Sequence, residues 1–210
     1  AEGGVAEAFR CDVTKSDEVA AMAAGCHAAF GAIDVLHNNV GIVELGGPVE
    51  LSEESWDRVH DVNLKSMFLT CKHVLPVMEA QGNGAIVNIS SVSGLRWTGV
   101  PYLSYSTSKA AVNHFTRMVA VQYAPKGIRC NCVLPGLMRT PMVEHALADH
   151  YADGDIDKMF EMRDEQVPMG HGGGPWAVAH AALFLAWDEA ESTPGLDLVA
   201  DGGLTARRHY

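Results

Sequence analysis

A tyrosine and a lysine four residues apart, Tyr105 and Lys109, come shortly after two adjacent serines, Ser90 and Ser91. The serines end an apolar run at 85–89 that is typical of a buried strand. Tyr105 and Lys109 open the next predicted helix and share one of its faces. A hydroxyl at a strand end facing such a pair suits proton transfer to a carbonyl oxygen. Tyrosine ordinarily has a pKa of about 10, so we expect the lysine ammonium to lower the pKa of the phenol towards neutrality.

The composition is that of one soluble domain with a sizeable core: 210 residues, 48% hydrophobic and 20% charged. The formal net charge of −11 argues against a surface for nucleic acid or anionic membrane. No apolar run approaches the roughly 18 residues of a membrane helix. The five cysteines contain no Cys-x-x-Cys, so we expect reduced thiols in a cytoplasmic protein. The ten histidines lack a metal-binding spacing, so no metal site is expected.

Strands alternate with helices along the chain, which predicts one α/β domain with a parallel sheet over residues 1–210. The predicted strands are 8–13, 33–37, 85–89, 128–134 and 196–199, and the predicted helices are 14–30 or 16–30, 53–80, 105–123 and 175–186. Thr14 or Ser16 is the expected N-cap of the first helix and Ser52 that of the second, which is interrupted after His60. The segment 137–171 is predicted to be helical and to form a lid.

These motifs resemble the short-chain dehydrogenase/reductase family, whose signature is Tyr-x-x-x-Lys preceded by a serine, and within it the bacterial 3-oxoacyl reductases and alcohol dehydrogenases. Further matches follow in the family's order: Asn38-Asn39-Val40-Gly41, Asn63, Pro135-Gly136-Leu137-Met138-Arg139-Thr140 and Asp201-Gly202-Gly203. The resemblance covers about Phe9 to Gly203. It implies a doubly wound Rossmann-type parallel sheet and hydride transfer between a nicotinamide cofactor and a secondary alcohol or ketone.

The resemblance also assigns the catalytic roles. Ser91 rather than Ser90 matches the family's serine, and strand alternation puts the two on opposite faces, so only one can face the cleft. Tyr105 would exchange the proton, with Lys109 tuning it and Ser91 positioning the substrate oxygen. Asn63 would hold a water that links the lysine to solvent; the alternative is a local helix kink. Tyr102 is the rival tyrosine, but it has no lysine four residues later.

The same resemblance implies a cofactor site. Its predicted residues are Asp12, Val13, Asn39, Gly41, Tyr105, Lys109, Pro135, Gly136, Met138 and Thr140. Asp12 would contact the adenine, although a turn or helix-capping aspartate is the alternative. NAD or NADP is expected, with NAD slightly favoured on family grounds.

These 210 residues lack the usual pyrophosphate-binding unit of a dinucleotide fold. That unit consists of a strand, a glycine-rich turn and a helix whose N-terminus holds the cofactor's pyrophosphate. The glycine-rich run 170–174 follows polar helical sequence and is predicted to be a loop. In the strand order 3-2-1-4-5-6, the strand at 8–13 would be the family's third, so the first two strands are missing. We expect the sequence to be part of a longer protein, because the later motifs are undamaged. The alternative is an inactive truncated relative that acts as an oligomerisation or interaction module.

The predicted partner is a small alcohol or ketone. The side chains of Met138, Met142, Met159 and Trp97 suggest that it is apolar, and the loop residues Arg96 and Val100 are further candidate substrate contacts. The long helices at 53–80 and 105–123 pair across subunits in relatives, so a homotetramer or homodimer is expected.

Overall fold

Four parallel strands form the centre of the protein. The computed structural model describes residues 3–144, 147 and 153–207. The strands are β1 (Val35–Asn38), β2 (Gly84–Ile89), β3 (Ile128–Pro135) and β4 (Asp197–Ala200), and they lie side by side in chain order. Each neighbouring pair is parallel, so each connection crosses over the sheet. The α/β prediction with a parallel sheet is confirmed.

In the described part of the chain, six α-helices with both ends described accompany this sheet. They are α1 (Ser16–Phe30), α2 (Glu53–His60), α3 (Ser66–Gln81), α4 (Leu103–Tyr123), α5 (Ile156–Asp164) and α6 (Pro175–Ala186). One face of the sheet packs against α1, α3 and α4, where Ile86 and Cys130 meet Ala23, Leu75 and Val119. The other face packs against α6, where Val87 and Val133 meet Leu185. Adjacent strand residues therefore point to opposite, equally apolar layers, as a doubly covered parallel sheet requires.

The helix ends show which local signals the sequence carried. Gly31 ends α1 with a φ of 78°, a conformation that glycine adopts without steric cost. Ser52 caps α2 by accepting a hydrogen bond from the Ser55 N–H at 3.1 Å, as predicted. The predicted cap of α1 is wrong: Lys15 occupies the N-cap, and the Thr14 hydroxyl donates to Asp12 instead. The interruption after His60 is confirmed as a π-turn at Asp61–Lys65.

The predicted strand at 8–13 is wrong. No residue between 3 and 15 belongs to a strand, and residues 3–10 are exposed. The run has the composition of a strand, but a strand forms only where another chain segment accepts and donates its main-chain hydrogen bonds. Among the described residues, none pairs with this run.

The predicted helix over 137–171 is only partly confirmed. Residues 141–144 are helical and α5 follows later, but 165–170 form turns and the run 170–174 is a loop. Residues 145–146 and 148–152 of this prediction lie outside the described part of the chain.

Candidate active site

The carboxyl ends of the strands meet at one cavity of about 470 Å³. Crevices at this edge of a doubly wound sheet are the usual ligand sites of such folds. Most of the predicted site residues line the cavity: Asn39, Gly41, Ser91, Tyr105, Lys109, Pro135, Gly136, Met138 and Thr140. They are contributed by the segments that follow β1, β2 and β3 and by the start of α4.

The two serines after β2 have different partners. The Ser90 hydroxyl donates to the Lys109 carbonyl oxygen at 2.9 Å, which ties the strand end to α4. The Ser91 hydroxyl donates to the Ser93 hydroxyl at 3.2 Å and accepts from the Ser93 N–H at 3.1 Å. A short 3₁₀ turn, Val92–Gly94, then packs directly on α4. Ser91 is thereby held at a fixed position relative to the tyrosine–lysine face of α4.

Gly94 is required for that close packing. A Cβ at this position would lie 2.7 Å from the Ala110 nitrogen and 2.8 Å from the Lys109 carbonyl carbon. Because both are backbone atoms, no side-chain rotation would relieve the contact. The absence of a side chain at Gly94 therefore sets the distance between the serine turn and α4.

Burial dominates the electrostatics of Tyr105 and Lys109. The Lys109 Nζ lies 5.7 Å from the centroid of the Tyr105 ring and donates to the Ile89 carbonyl oxygen at 2.7 Å. Burial lowers the pKa of Lys109 to about 8 and raises the pKa of Tyr105 to about 12, although the Ser91 hydroxyl partly offsets the latter. This upward shift for Tyr105 is opposite in direction to the expected lowering by the ammonium, because desolvation of the phenolate at this partly buried position outweighs the contribution of the Ser91 hydroxyl.

Asn63 lies in the π-turn between α2 and α3 and is fully buried. Its side chain accepts from the Ile42 N–H at 2.8 Å and donates to the Ile42 carbonyl at 2.9 Å and to the Ser108 hydroxyl at 3.1 Å. A Cβ on Gly41 would lie 3.4 Å from the Asn63 Oδ1 and 3.5 Å from the Lys109 Nζ. Asn63 therefore lies at the interruption of the helix and fixes the loop that borders Lys109, and its role in holding a water remains a prediction.

The loop after β3 is held from two sides. The Gly173 N–H donates to the Leu137 carbonyl at 3.1 Å, and the Arg139 N–H donates to the Gly173 carbonyl at 2.9 Å. A Cβ on Gly136 would lie 2.5 Å from the Cβ of Asp201, whose carboxylate accepts from the Gly203 N–H at 2.9 Å. The glycine-rich run 170–174 therefore positions the loop that carries Met138 and Thr140.

Asp12 and Val13 lie outside this cavity. The Asp12 carboxylate accepts from the Thr14 N–H at 2.9 Å and from its hydroxyl at 2.7 Å, and these hydrogen bonds lower its pKa. Asp12 borders a separate exposed hollow with Arg10, Cys11 and Glu18. Its turn role is visible in the structure, and its adenine role remains a prediction.

Several candidate substrate contacts are elsewhere. Trp97 is 67% exposed and borders another cavity with Arg96, whereas Val100 and Met159 are buried in one apolar cluster. Met138 and Met142 do line the main cavity. Only part of the predicted apolar substrate surface therefore faces the cleft.

Sequence reasoning missed several contributors to the cavity, including His37 and the first turns of α6. His37 lies two residues before Asn39, so strand alternation places both side chains on the same face of the sheet. This spacing in the sequence could have identified His37 as a cavity residue. Burial lowers the pKa of His37. The first turns of α6 also line the cavity through Pro175 and Val178; apolar helix residues carry no sequence signal that separates core from cavity.

The cavity fits the nicotinamide end of a dinucleotide. Its walls combine small or apolar groups with the hydroxyls of Ser91, Tyr105 and Thr140 and the Lys109 ammonium. This donor set suits a ring with one polar amide and an adjoining ribose. In the described part of the chain, no cluster of His, Cys, Asp and Glu has the arrangement of a metal site. The five cysteines form no disulfide. No helix among the described residues is long and apolar enough to cross a membrane.

Comparison with known proteins places the chain in a family. The family described as enoyl-(acyl carrier protein) reductase matches residues 1–205. The 2-(R)-hydroxypropyl-CoM dehydrogenase of Xanthobacter autotrophicus is 42% identical over 204 residues, covering 94% of this chain and 77% of the relative. The cis-4-hydroxycyclohexanecarboxylate dehydrogenase of Sinomonas cyclohexanicum is 43% identical over 198 residues, covering 94% and 76%.

Solved structures agree. A short-chain dehydrogenase/reductase from Burkholderia xenovorans superposes with a TM-score of 0.93 at 45% identity, covering 99% of this chain and 78% of that chain. ElxO with NADP bound superposes with a TM-score of 0.85 at 30% identity, covering 95% and 78%. The chain belongs to the short-chain dehydrogenase/reductase family. It is an NAD(P)-dependent oxidoreductase. This result supports the prediction of an enzyme over the alternative of an inactive relative that acts as an interaction module.

Proposed function

We propose that this enzyme transfers a hydride between a nicotinamide cofactor and a secondary alcohol or ketone, with Tyr105 as the acid/base group. One observation carries the proposal: the side chains of Ser91, Tyr105 and Lys109 line the same cavity as Met138 and Thr140. The first three suit a substrate oxygen, whereas the Thr140 hydroxyl and the backbone of the loop that carries Met138 suit the cofactor's amide. A substrate carbon placed between these two sets of residues would lie next to both the acid/base group and the nicotinamide.

The residues that would hold the cofactor lie around the main cavity. Asn39 and Gly41 border the side next to Lys109, while the loop of Pro135, Gly136, Met138 and Thr140 borders the other side. Asp12 and Val13 remain candidates for the adenine end. The cofactor, when bound, supplies the hydride acceptor or donor. NAD is slightly favoured on the family resemblance, and the NADP of ElxO makes a test with both necessary.

Proton handling follows from the tyrosine's pKa. With a pKa of about 12, the Tyr105 phenol is protonated near neutrality and can donate to a ketone oxygen during reduction. In the oxidation direction the alcohol proton passes to the phenolate, so that direction is favoured by rising pH. The Ser91 hydroxyl orients the substrate oxygen, and the Lys109 ammonium, with a pKa of about 8, stabilises negative charge that develops there. A water held near Asn63 would return protons from solvent.

The substrate is proposed to be a small alcohol or ketone with an apolar portion. Pro141, Met142 and Val143 form an apolar wall beside the reacting groups. The two relatives named for a hydroxypropyl and a hydroxycyclohexane compound support a secondary alcohol carried by a short chain or a ring.

Assembly as a homotetramer or homodimer is also proposed. Exposed apolar side chains on α3 and α4, Phe68, Met118 and Val121, offer surface for a second copy. A cytoplasmic location fits the five free cysteines.

The test is a panel of secondary alcohols and ketones incubated with NAD or NADP, followed through the near-ultraviolet absorbance of the reduced cofactor. Turnover of secondary alcohols with one cofactor is expected. Ser91→Ala should lower kcat by roughly 100- to 1,000-fold, as does loss of one oriented hydrogen-bond donor. The matched control is Ser106→Ala on α4, which lies outside the cavity and should keep full activity. The proposal fails if no secondary alcohol or ketone reacts with either cofactor.

A further inference from the structure

Four hydroxyl groups form a hydrogen-bonded chain that begins at Ser91 and leads away from the main cavity. The Ser91 and Ser93 hydroxyls lie 3.2 Å apart, and the Ser93 hydroxyl shares a hydrogen bond of 3.1 Å with the Tyr102 hydroxyl. The Tyr102 hydroxyl shares a second hydrogen bond with the Thr98 hydroxyl. Of these four residues, Ser91 alone lines the main cavity, whereas Thr98 borders the separate cavity beside Trp97. We call the four residues the hydroxyl chain.

The middle of the hydroxyl chain is shielded from water. Ser93 and Tyr102 are buried, and Thr98 is half-buried. The Tyr102 ring packs in the apolar cluster that contains Met159 and Phe160. A phenylalanine would fill the same space, and a buried hydroxyl is unfavourable unless it is hydrogen-bonded. The contribution of the Tyr102 hydroxyl is therefore its hydrogen bonding to Ser93 and Thr98, and not its packing.

The position of Tyr102 in the backbone supports this role. Tyr102 is the N-cap residue of α4, but its side chain caps no helix N–H. Short polar residues are preferred at N-caps because their side chains accept such a hydrogen bond. The chain is instead held here through its backbone, since the Leu103 N–H donates to the Gly46 carbonyl at 3.1 Å and the Tyr102 N–H donates to the Val100 carbonyl at 3.0 Å. The Tyr102 hydroxyl is thus available for the hydroxyl chain.

Counting hydrogens gives the hydroxyl chain a direction. A hydroxyl has one hydrogen, so a member that donates to one neighbour accepts from the other. The Ser91 hydroxyl donates to Ser93 in the structure, but a substrate oxygen at Ser91 requires the same hydrogen. The Ser93 hydroxyl can then donate to Ser91, beside the Ser93 N–H that already donates to it at 3.1 Å. In that arrangement Tyr102 donates to Ser93 and Thr98 donates to Tyr102.

We infer that Tyr102 is a positioning residue, which acts through Ser93 to direct the Ser91 hydrogen at the substrate oxygen. This inference rests on the proposed function. Each hydroxyl keeps its own hydrogen and only rotates, so no covalent bond breaks within the hydroxyl chain. When a ketone is reduced, negative charge develops on its oxygen, and donors that already point at it stabilise that charge. Aligned hydrogen bonds also polarise one another, so Ser91 becomes a stronger donor than an isolated serine.

The substitution Tyr102→Phe separates the hydroxyl from the ring. The rings of Tyr102 and Tyr105 meet edge to face, with centroids 5.4 Å apart and an angle of 82° between their planes. Phenylalanine retains this contact. We expect Tyr102→Phe to lower kcat for ketone reduction by roughly 5- to 30-fold and to leave KM within about threefold. A kcat within about twofold of the wild type, or a rise in KM as large as the loss in kcat, would overturn the inference.

A double-mutant cycle with Ser91 distinguishes this role from a general effect on the fold. In Ser91→Ala the hydroxyl chain no longer reaches the substrate. Adding Tyr102→Phe to that variant should therefore lower kcat further by no more than about twofold. If Tyr102→Phe causes the same loss in the Ser91→Ala enzyme as in the wild type, the two residues act independently and the inference is wrong.

Thr98 covers the case in which Tyr102→Phe does not fold. Thr98→Val should lower kcat by roughly 2- to 10-fold, whereas Thr98→Ser, which keeps the hydroxyl, should stay within about twofold of the wild type. The matched control is Thr193→Val, at another half-buried threonine, whose hydroxyl donates to the Ala190 carbonyl at 2.7 Å. This variant should keep its kcat. Equal kcat values in Thr98→Val and Thr98→Ser would refute the hydroxyl chain.

The same set of rates separates this inference from the proposed function. If the wild-type enzyme reduces no ketone, or if Ser91→Ala keeps the wild-type kcat, the proposed function is refuted and the hydroxyl chain with it. If Ser91→Ala loses activity while Tyr102→Phe and Thr98→Val do not, only the hydroxyl chain is refuted.

Discussion

Replacing Asn63 with alanine removes the contacts that hold the loop beside Lys109. Three hydrogen bonds are lost, two of them to the backbone of Ile42. At about 1 kcal/mol for each bond, with an added penalty for the half-buried Ile42 groups left without a partner, the free energy of unfolding should fall by about 2–4 kcal/mol. For a chain of this size the melting temperature should drop by roughly 5–15 °C.

Activity should fall as well, because Gly41, next to Ile42, borders the cavity, and a Cβ built on it would lie 3.5 Å from the Lys109 Nζ. A shift of about 1 Å in a positioning group can cost on the order of 100-fold, so we expect kcat/KM to fall at least about tenfold. Thermal melts and initial rates on the same preparation provide both values.

Ser108→Ala is the matched control. It loses the Ser108 bonds to Asn63 and to the Tyr105 carbonyl oxygen but leaves the Asn63 bonds to Ile42 intact, so its destabilisation should stay at about 1–2 kcal/mol and kcat/KM should fall less than in Asn63→Ala. The reasoning is refuted if Asn63→Ala unfolds within about 1 kcal/mol of the wild type and keeps its kcat/KM.

Two further predictions concern the same constellation. Ketone reduction should be fastest below about pH 8 and decline above it, because Lys109 has a lowered pKa of about 8 and is positively charged only below that pH. The Lys109→Arg enzyme, whose side chain stays charged, should retain residual activity and show no such decline. If its rate–pH profile shows the same decline as the wild type, Lys109 is not the group responsible. Gly94→Ala should lower the free energy of unfolding by about 1–3 kcal/mol and reduce kcat, since its Cβ would collide with the α4 backbone at Lys109 and Ala110. The control is Gly99→Ala in the same loop, where a Cβ meets no atom within 4 Å but φ is 89°, so that this variant should lose stability and keep its kcat. Equal kcat losses in both variants would contradict the positional role of Gly94.

Local patterns were sufficient for the elements that position the site. The placement of Tyr105 and Lys109 on one helix face, after a serine at a strand end, was predictable because a buried strand followed by a helix fixes both a strand end and a helix face. The choice of Ser91 over Ser90 came from the family resemblance. The segment at 8–13 has a similar strand pattern and forms none, because pairing depends on residues distant in sequence. Strand formation is therefore a property of the partner as much as of the segment.

The electrostatics could not be predicted from spacing. Lys109 lies near Tyr105 as expected, yet burial controls both pKa values, and Tyr105 packs in a cluster with residues distant in sequence such as Val43 and Met159.

The most direct test of the central claim is the single-turnover rate of Tyr105→Phe in ketone reduction, measured with bound reduced cofactor. The account predicts a loss of roughly 100- to 10,000-fold, with cofactor affinity, read from the fluorescence of the reduced nicotinamide, within about threefold of the wild type. Tyr123→Phe, at the far end of α4, should react at the wild-type rate. A Tyr105→Phe enzyme that keeps more than about a tenth of the wild-type rate would contradict the assignment of proton transfer to this phenol.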